Sequence, residues 1–285
     1  MTTVQTPDGR TLAVHELGDP DGLAVFVHHG TPGSGLLYEK WATPGIRLFS
    51  FDRAGYGEST RNHGRTVGSA AADVDAIADA FGIDRFASWG ISGGGPHALA
   101  CAALCDRLTA CATLAGVGPW DAEGLDWLEG MGDENIREFD LVLAGEEALT
   151  PAVERDRTGL LQTTPETLRS GFETLLGPAD RAALSGELAE FLHAQMSRGV
   201  RASGAGWIDD DLAFVHQPWG FDVTKLEKPV LVVQGFDDRF VPRQHGEWLA
   251  GNVAGVEARL EPNEGHLTLM ETYVPTVHEW LLAHS

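Results

Sequence analysis

The chain of 285 residues has very little lysine: Lys40, Lys225 and Lys228 are the only ones. Its 20 basic residues face 42 acidic ones, giving a formal net charge of −22 at pH 7. A surface that acidic repels polyanions, which argues against nucleic acid or an anionic membrane as a partner. Cysteine is also scarce. Cys101, Cys105 and Cys111 are an odd number, too few and too close together for a disulfide framework, and no Cys-x-x-Cys is present. They are expected to be small buried thiols. No uninterrupted apolar run reaches membrane-spanning length. The opening residues, MTTVQTPDGRTLAVHELGDP, lack the basic and then apolar order of a secretory leader. A soluble, cytoplasmic protein is expected. No internal repeat or low-complexity tract stands out.

Glycine (35 residues) and a 43% hydrophobic content are what the chain does have. TVQTPDGRTLAVHEL reads as two strands joined by a turn at Asp8–Gly9. Short apolar runs follow in LAVFVHHG, IRLFSF, RFASWG, LTACATLAG, KPVLVVQG and VEARLEP. Between them lie helical patterns at residues 66–81, in GGGPHALACAAL and in YVPTVHEWLLAH. Strands without polar alternation, interleaved with helices, predict an α/β fold with a mostly parallel central sheet and helices on both faces. Residues 122–222 break this rhythm. PETLRSGFETLL and PADRAALSGELAEFLHAQM look helical, and no convincing strand appears. The expected organisation is a core domain of residues 1–121 and 223–285, with a helical cap inserted at 122–222.

Open α/β sheets bind ligands at the carboxyl ends of their strands, and four such ends carry chemistry. WGISGGGPHALA sets Ser92 between a strand and a helix, with Gly90 and Gly94 two residues to either side. A nucleophilic serine at so sharp a turn needs small neighbours at those positions, and the next helix aims its amides at the site. Gly93-x-Gly95-x-x-Ala98 also fits a dinucleotide-binding turn. The following strand, however, ends without the acidic residue that turn requires, and a phosphate loop would need a lysine. HHGTPG offers free backbone amides. Thr31 is the candidate second oxyanion donor beside Gly93, because Pro32 has no N–H. His28 and His29 are expected to orient the loop, not to bind metal. VVQGFDDRFVP carries Asp237 and Asp238, either of which could orient a histidine. EPNEGHLTL carries His266 in what reads as a loop.

Serine, acid, histidine is the chain order of the α/β-hydrolase triad, and the sequence resembles that superfamily over nearly its whole length. The resemblance rests on His29-Gly30-Thr31-Pro32, on Asp52, Arg53, Gly55, Gly57 and Ser59, on Gly90-x-Ser92-x-Gly94, on Gly235, Asp238, Val241 and Pro242, and on Gly265-His266. It implies Ser92 as nucleophile, His266 as base and Asp238, not Asp237, as the acid. It also implies Thr31 and Gly93 as the oxyanion hole, and structural roles for the Asp52–Ser59 loop. Asp121 is an alternative acid, since some relatives place it one strand earlier. No metal or organic cofactor is implied, and the expected partner is a small-molecule substrate. Carboxylic ester hydrolysis is the leading expectation. Aminopeptidase or amidase activity and carbon–carbon bond hydrolysis use the same triad, and a non-catalytic binding protein is the alternative of another class. Trp120, Trp127, Trp207 and Trp219 are candidates to line an apolar pocket, and Gly95 has no role in the turn.

Overall fold

A computed structural model describes all residues, 1–285. Eight strands form one sheet: β1 (Thr2–Gln5), β2 (Thr11–Gly18), β3 (Leu23–His28), β4 (Ile46–Phe51), β5 (Phe86–Ile91), β6 (Leu108–Leu114), β7 (Val230–Gly235) and β8 (Glu257–Glu261). Their spatial order is β1-β2-β4-β3-β5-β6-β7-β8. β2 runs antiparallel to both its neighbours, β1 and β4, and every other neighbouring pair is parallel. The fold is therefore the expected α/β architecture. Helices α1 (Ser69–Phe81) and α2 (Gly95–Leu104) precede β6. Helices α3 (Asp133–Ala144), α4 (Glu146–Leu160), α5 (Pro178–Ala183), α6 (Gly186–Val200) and α7 (Ala205–Val215) all fall between β6 and β7. Helices α8 (Arg243–Asn252), α9 (His266–Thr272) and α10 (Val274–Ala283) complete the chain. None is long and apolar enough to cross a membrane.

The central strands are buried on both faces, which explains their unbroken apolar runs. Val25, Val27, Leu231 and Val233 pack with α9 and α10, through residues such as Leu267, Val277 and Leu281. Their neighbours Ala24, Phe26, Val230 and Val232 point the other way, toward Val74 and Ile77 of α1, Leu99 of α2 and Leu249 of α8. Each such fully buried large side chain contributes about 1.5–3 kcal/mol through removal from water. Strand order reverses between β3 and β5, so the loops after His28 and Ile91 splay apart and leave a crevice.

Three expectations need correction. The stretch from Pro165 to Leu176 forms only a short 3-10 turn, Leu168–Phe172. Its polar side chains bond the local backbone instead, with Thr167 Oγ1 accepting from the Thr164 amide (2.8 Å) and Ser170 Oγ donating to the Thr167 carbonyl (2.7 Å). The stretch from Pro178 to Met196 is two helices, not one, because Gly186 begins α6 at φ 51°, in the left-handed region. His266 is the first residue of α9, not a loop residue.

Candidate active site

Ser92 follows β5 at φ 56°, a left-handed conformation rare for a residue with a side chain. Holding it there costs about 1–3 kcal/mol, supplied by the surrounding packing. A Cβ at Gly90 would collide with the Gly94 carbonyl, and one at Gly94 with the carbonyl of His28. The turn therefore closes only on glycine at both positions. Gly95 has its reason in packing. A Cβ there would strike the Thr113 hydroxyl on β6 and lie 2.7 Å from the Gly116 Cα, so α2 seats against backbone.

The loop after β3 lies against this turn. A Cβ on Gly30 would stand 3.8 Å from Ser92 Oγ, and one on Gly93 would meet the Thr31 hydroxyl. Thr31 and Gly93 are thus side by side next to Ser92. The Thr31 amide donates to no protein acceptor. His29 donates from Nδ1 to the Gly30 carbonyl (2.7 Å) and accepts the Arg53 amide at Nε2 (3.2 Å). That pattern is the neutral tautomer, in keeping with burial and the nearby Arg53 cation holding its pKa well below the usual value. The Asp52–Ser59 loop acts as scaffold. Asp52 accepts the Gly35 and Glu58 amides, and Ser59 Oγ accepts the Ala13 amide.

His266 Nδ1 donates to Asp238 Oδ2 at 2.8 Å. The other Asp238 oxygen accepts the amides of Phe240 (2.9 Å) and Val241 (2.8 Å), so its direction is set by its own loop. Phe240 stacks on the imidazole with centroids 4.7 Å apart. Burial pushes the His266 pKa down, but the carboxylates of Asp238 and then Asp180 more than offset it, and the net shift is upward from 6.5. Asp237 turns away and accepts the Ala179 amide at 3.0 Å. Asp121 is exposed and bonds to neither histidine nor serine.

Ser92, Gly93, Thr31 and His266 open onto one cavity of about 730 Å³. Its remaining wall comes largely from α3, α4, α6 and α7 and is mostly hydrophobic. Trp127 and Trp207 line it. Trp120 instead packs behind Trp127, and Trp219 joins a separate cluster with Val67 and Phe214. Ser92 Oγ makes no hydrogen bond to His266 in this structure, although both face the cavity.

Two buried acids escaped the sequence reading. Asp210 of α7 accepts from Arg53 (2.5 Å), Arg65 (2.7 Å), Tyr56 (2.8 Å), His97 (3.2 Å) and Thr31 Oγ1 (2.8 Å). Asp180 of α5 accepts three successive amides of α9. Each lies more than eighty residues from the site residues it serves, and no local pattern marks it.

A family model described as the alpha/beta hydrolase fold matches residues 24–273, and the chain belongs to that family. Among curated relatives, a non-heme chloroperoxidase of Streptomyces lividans is 26% identical over 249 residues, covering 85% of this chain and 84% of the relative. A proline iminopeptidase of Xanthomonas citri is 32% identical over 107 residues, covering 35% of this chain and 34% of the relative. Among solved structures, a thermophilic esterase from Thermogutta terrifontis superposes with a TM-score of 0.71 at 21% identity, covering 100% of this chain and 99% of the other. The family and these neighbours support a hydrolase.

Proposed function

We propose that the protein is a serine hydrolase cleaving a carboxylic ester of a small, partly apolar substrate. The observation that carries this reading is the convergence of a strained Ser92 and an Asp238-bonded His266 on one mainly apolar cavity. Ser92 Oγ attacks the ester carbonyl while His266 Nε2 takes its proton, which requires the two atoms to come within about 2.6–3.2 Å. Asp238 keeps the proton on Nδ1 and stabilises the imidazolium. The amides of Thr31 and Gly93 hold the oxyanion, each worth about a hundredfold or more in rate. His266 then protonates the departing alcohol, and water, activated by the same histidine, releases the acid from Ser92. Helices α3–α7 act as the cap, which shapes the acyl pocket and excludes water. The cavity falls within the roughly 300–1,000 Å³ typical of small-molecule sites. Ser92→Ala is expected to abolish hydrolysis of p-nitrophenyl esters and labelling by a fluorophosphonate. Retained turnover with unaltered folding would refute the assignment.

A second reading, aminopeptidase action, is favoured by one detail of the cavity wall. Asp211 is buried there with its Oδ2 unpartnered, beside Glu138, which accepts the Trp207 indole N–H at 2.6 Å. Burial and then Glu138 push the Asp211 carboxyl well above its usual range. A substrate ammonium group would supply the missing donor. Amino-acid anilides hydrolysed faster than acyl esters, with the advantage lost in Glu138→Gln, would favour this reading over the first.

A further inference from the structure

The N-cap residue of α9 is Gly265, which has no side chain to accept the first helical amides; within the helix, Thr268 Oγ1 accepts only the Gly265 amide itself, at 2.8 Å. The acceptor for the first three helical amides comes from another part of the chain. Asp180 Oδ2 accepts the His266 amide at 2.8 Å, and Oδ1 accepts those of Leu267 at 2.7 Å and Thr268 at 3.1 Å. A Cβ on Gly265 would come within 2.5 Å of the Asp180 carboxyl carbon. The residue before His266 must therefore be glycine so that a distant carboxylate can reach the helix.

The helix that carries Asp180 is anchored in turn. Asp237 Oδ2 accepts the Ala179 amide at the start of α5, and a Cβ at Gly177 would press on the same carboxylate. The two adjacent acids after β7 thus reach His266 by different routes. Asp238 bonds the ring directly, and Asp237 secures the helix whose Asp180 holds the backbone. Asp180 is fully buried, does not line the cavity, and accepts three N–H bonds from backbone amides. Burial raises its carboxyl pKa above the usual value, and His266 and the accepted amides work against that rise in favour of the charged form.

We propose that Asp180 is a positioning residue for His266: a second carboxylate, delivered by the helices between β6 and β7, that fixes the histidine's backbone and supports its cation. This extends the hydrolase reading, in which His266 is the base. The groups around the imidazole are few. Asp238 and Asp180 supply the negative charge, β7 contributes no titratable side chain, and Arg181 turns its guanidinium to the Glu173 and Leu176 carbonyls. On α10, His278 bonds Trp89, and at the far end of α9 Glu271 pairs with Lys40.

The test is the Asp180→Asn variant, which keeps the shape and one acceptor oxygen but removes the charge. The His266 imidazole is titrated by NMR, assigned by comparison with His266→Ala, and the pH profile of ester turnover is recorded beside it. Loss of the neighbouring negative charge disfavours the imidazolium. The expected result is an NMR midpoint lower by about half a unit or more, with the rising limb of kcat/KM displaced equally. The value of kcat should fall several-fold and KM should hold. A lowered melting temperature with an unmoved His266 titration would reduce Asp180 to a structural cap and overturn the proposal. If Asp180→Asn does not fold, Asp237→Ala loosens α5 from further away and must move the same titration in the same direction. The NMR midpoint requires no substrate. A shifted midpoint in a protein inert toward esters would sink the esterase reading and leave the role of Asp180 standing.

Discussion

Asp210→Ala isolates the energetic role of the deepest ionic cluster. The carboxylate has no exposure, and the side chains of Arg53 and Arg65 that pair with it are 3% and 4% exposed. Truncation leaves two guanidinium groups in the interior without their counter-ion, and also removes the acceptor of Tyr56, His97 and Thr31. Breaking a buried pair from one side costs about 3–5 kcal/mol. At roughly 2–4 °C per kcal/mol for a domain this large, the melting temperature should drop by about 6–20 °C. The effect also has a pH signature. Burial opposes ionisation of Asp210, yet the two arginines and His97 outweigh it and hold its pKa well below 3.8. A depressed carboxylate pKa contributes stability that is fully present above the unfolded value and fades as pH falls through the folded one. Thermal and urea unfolding should therefore show a constant gap between wild type and variant from about pH 5 upward, narrowing in strong acid. Thr31 loses its anchor as well, so ester turnover should fall by up to about a hundredfold, the worth of one oxyanion donor. A melting temperature within about 2 °C of wild type would refute the reasoning, since it would mean the arginines find equal solvation elsewhere.

Three further outcomes follow from the geometry. Because the carboxylates raise the His266 pKa above 6.5, the rising limb of kcat/KM in wild type should have its midpoint above that value; a midpoint near 5 in a pH–rate profile would contradict it. Gly95→Ala forces a methyl group onto Thr113 and Gly116 and should lower stability by about 1–3 kcal/mol, seen as a reduced urea midpoint, whereas Gly251→Ala, with open space around it, should be near neutral. All three cysteines are buried, and burial raises the Cys111 pKa. Ellman's reagent should therefore find no thiol in the folded protein and all three in denaturant.

The turn around Ser92 was legible in the sequence because every requirement on it is local. Small residues at fixed offsets, a strand before and a helix after all leave a mark within a dozen positions. The same holds for β3, β5 and β7, whose apolar runs report burial on both faces. Selecting Asp238 over Asp237 rested on family spacing, and the reason is three-dimensional: one acid reaches the His266 ring, while its neighbour reaches α5. The helical start at His266 was not legible, since the carboxylate that takes its first amides lies 86 residues away in sequence.

What the sequence by itself determined was the alternation of strands and helices and the chemistry waiting at the strand ends. Periodicity and glycine spacing record the geometry of neighbouring residues, and those features need nothing more. Only the tertiary structure decided that Asp210 joins the loop of Thr31 to α7, that Asp180 joins α5 to His266, and that Trp127 and Trp207 face the cavity while Trp120 and Trp219 do not. These pairings span up to 179 residues. A buried carboxylate takes whichever donors the packed chain brings to it, and that choice is made only when the helices between β6 and β7 close over the sheet.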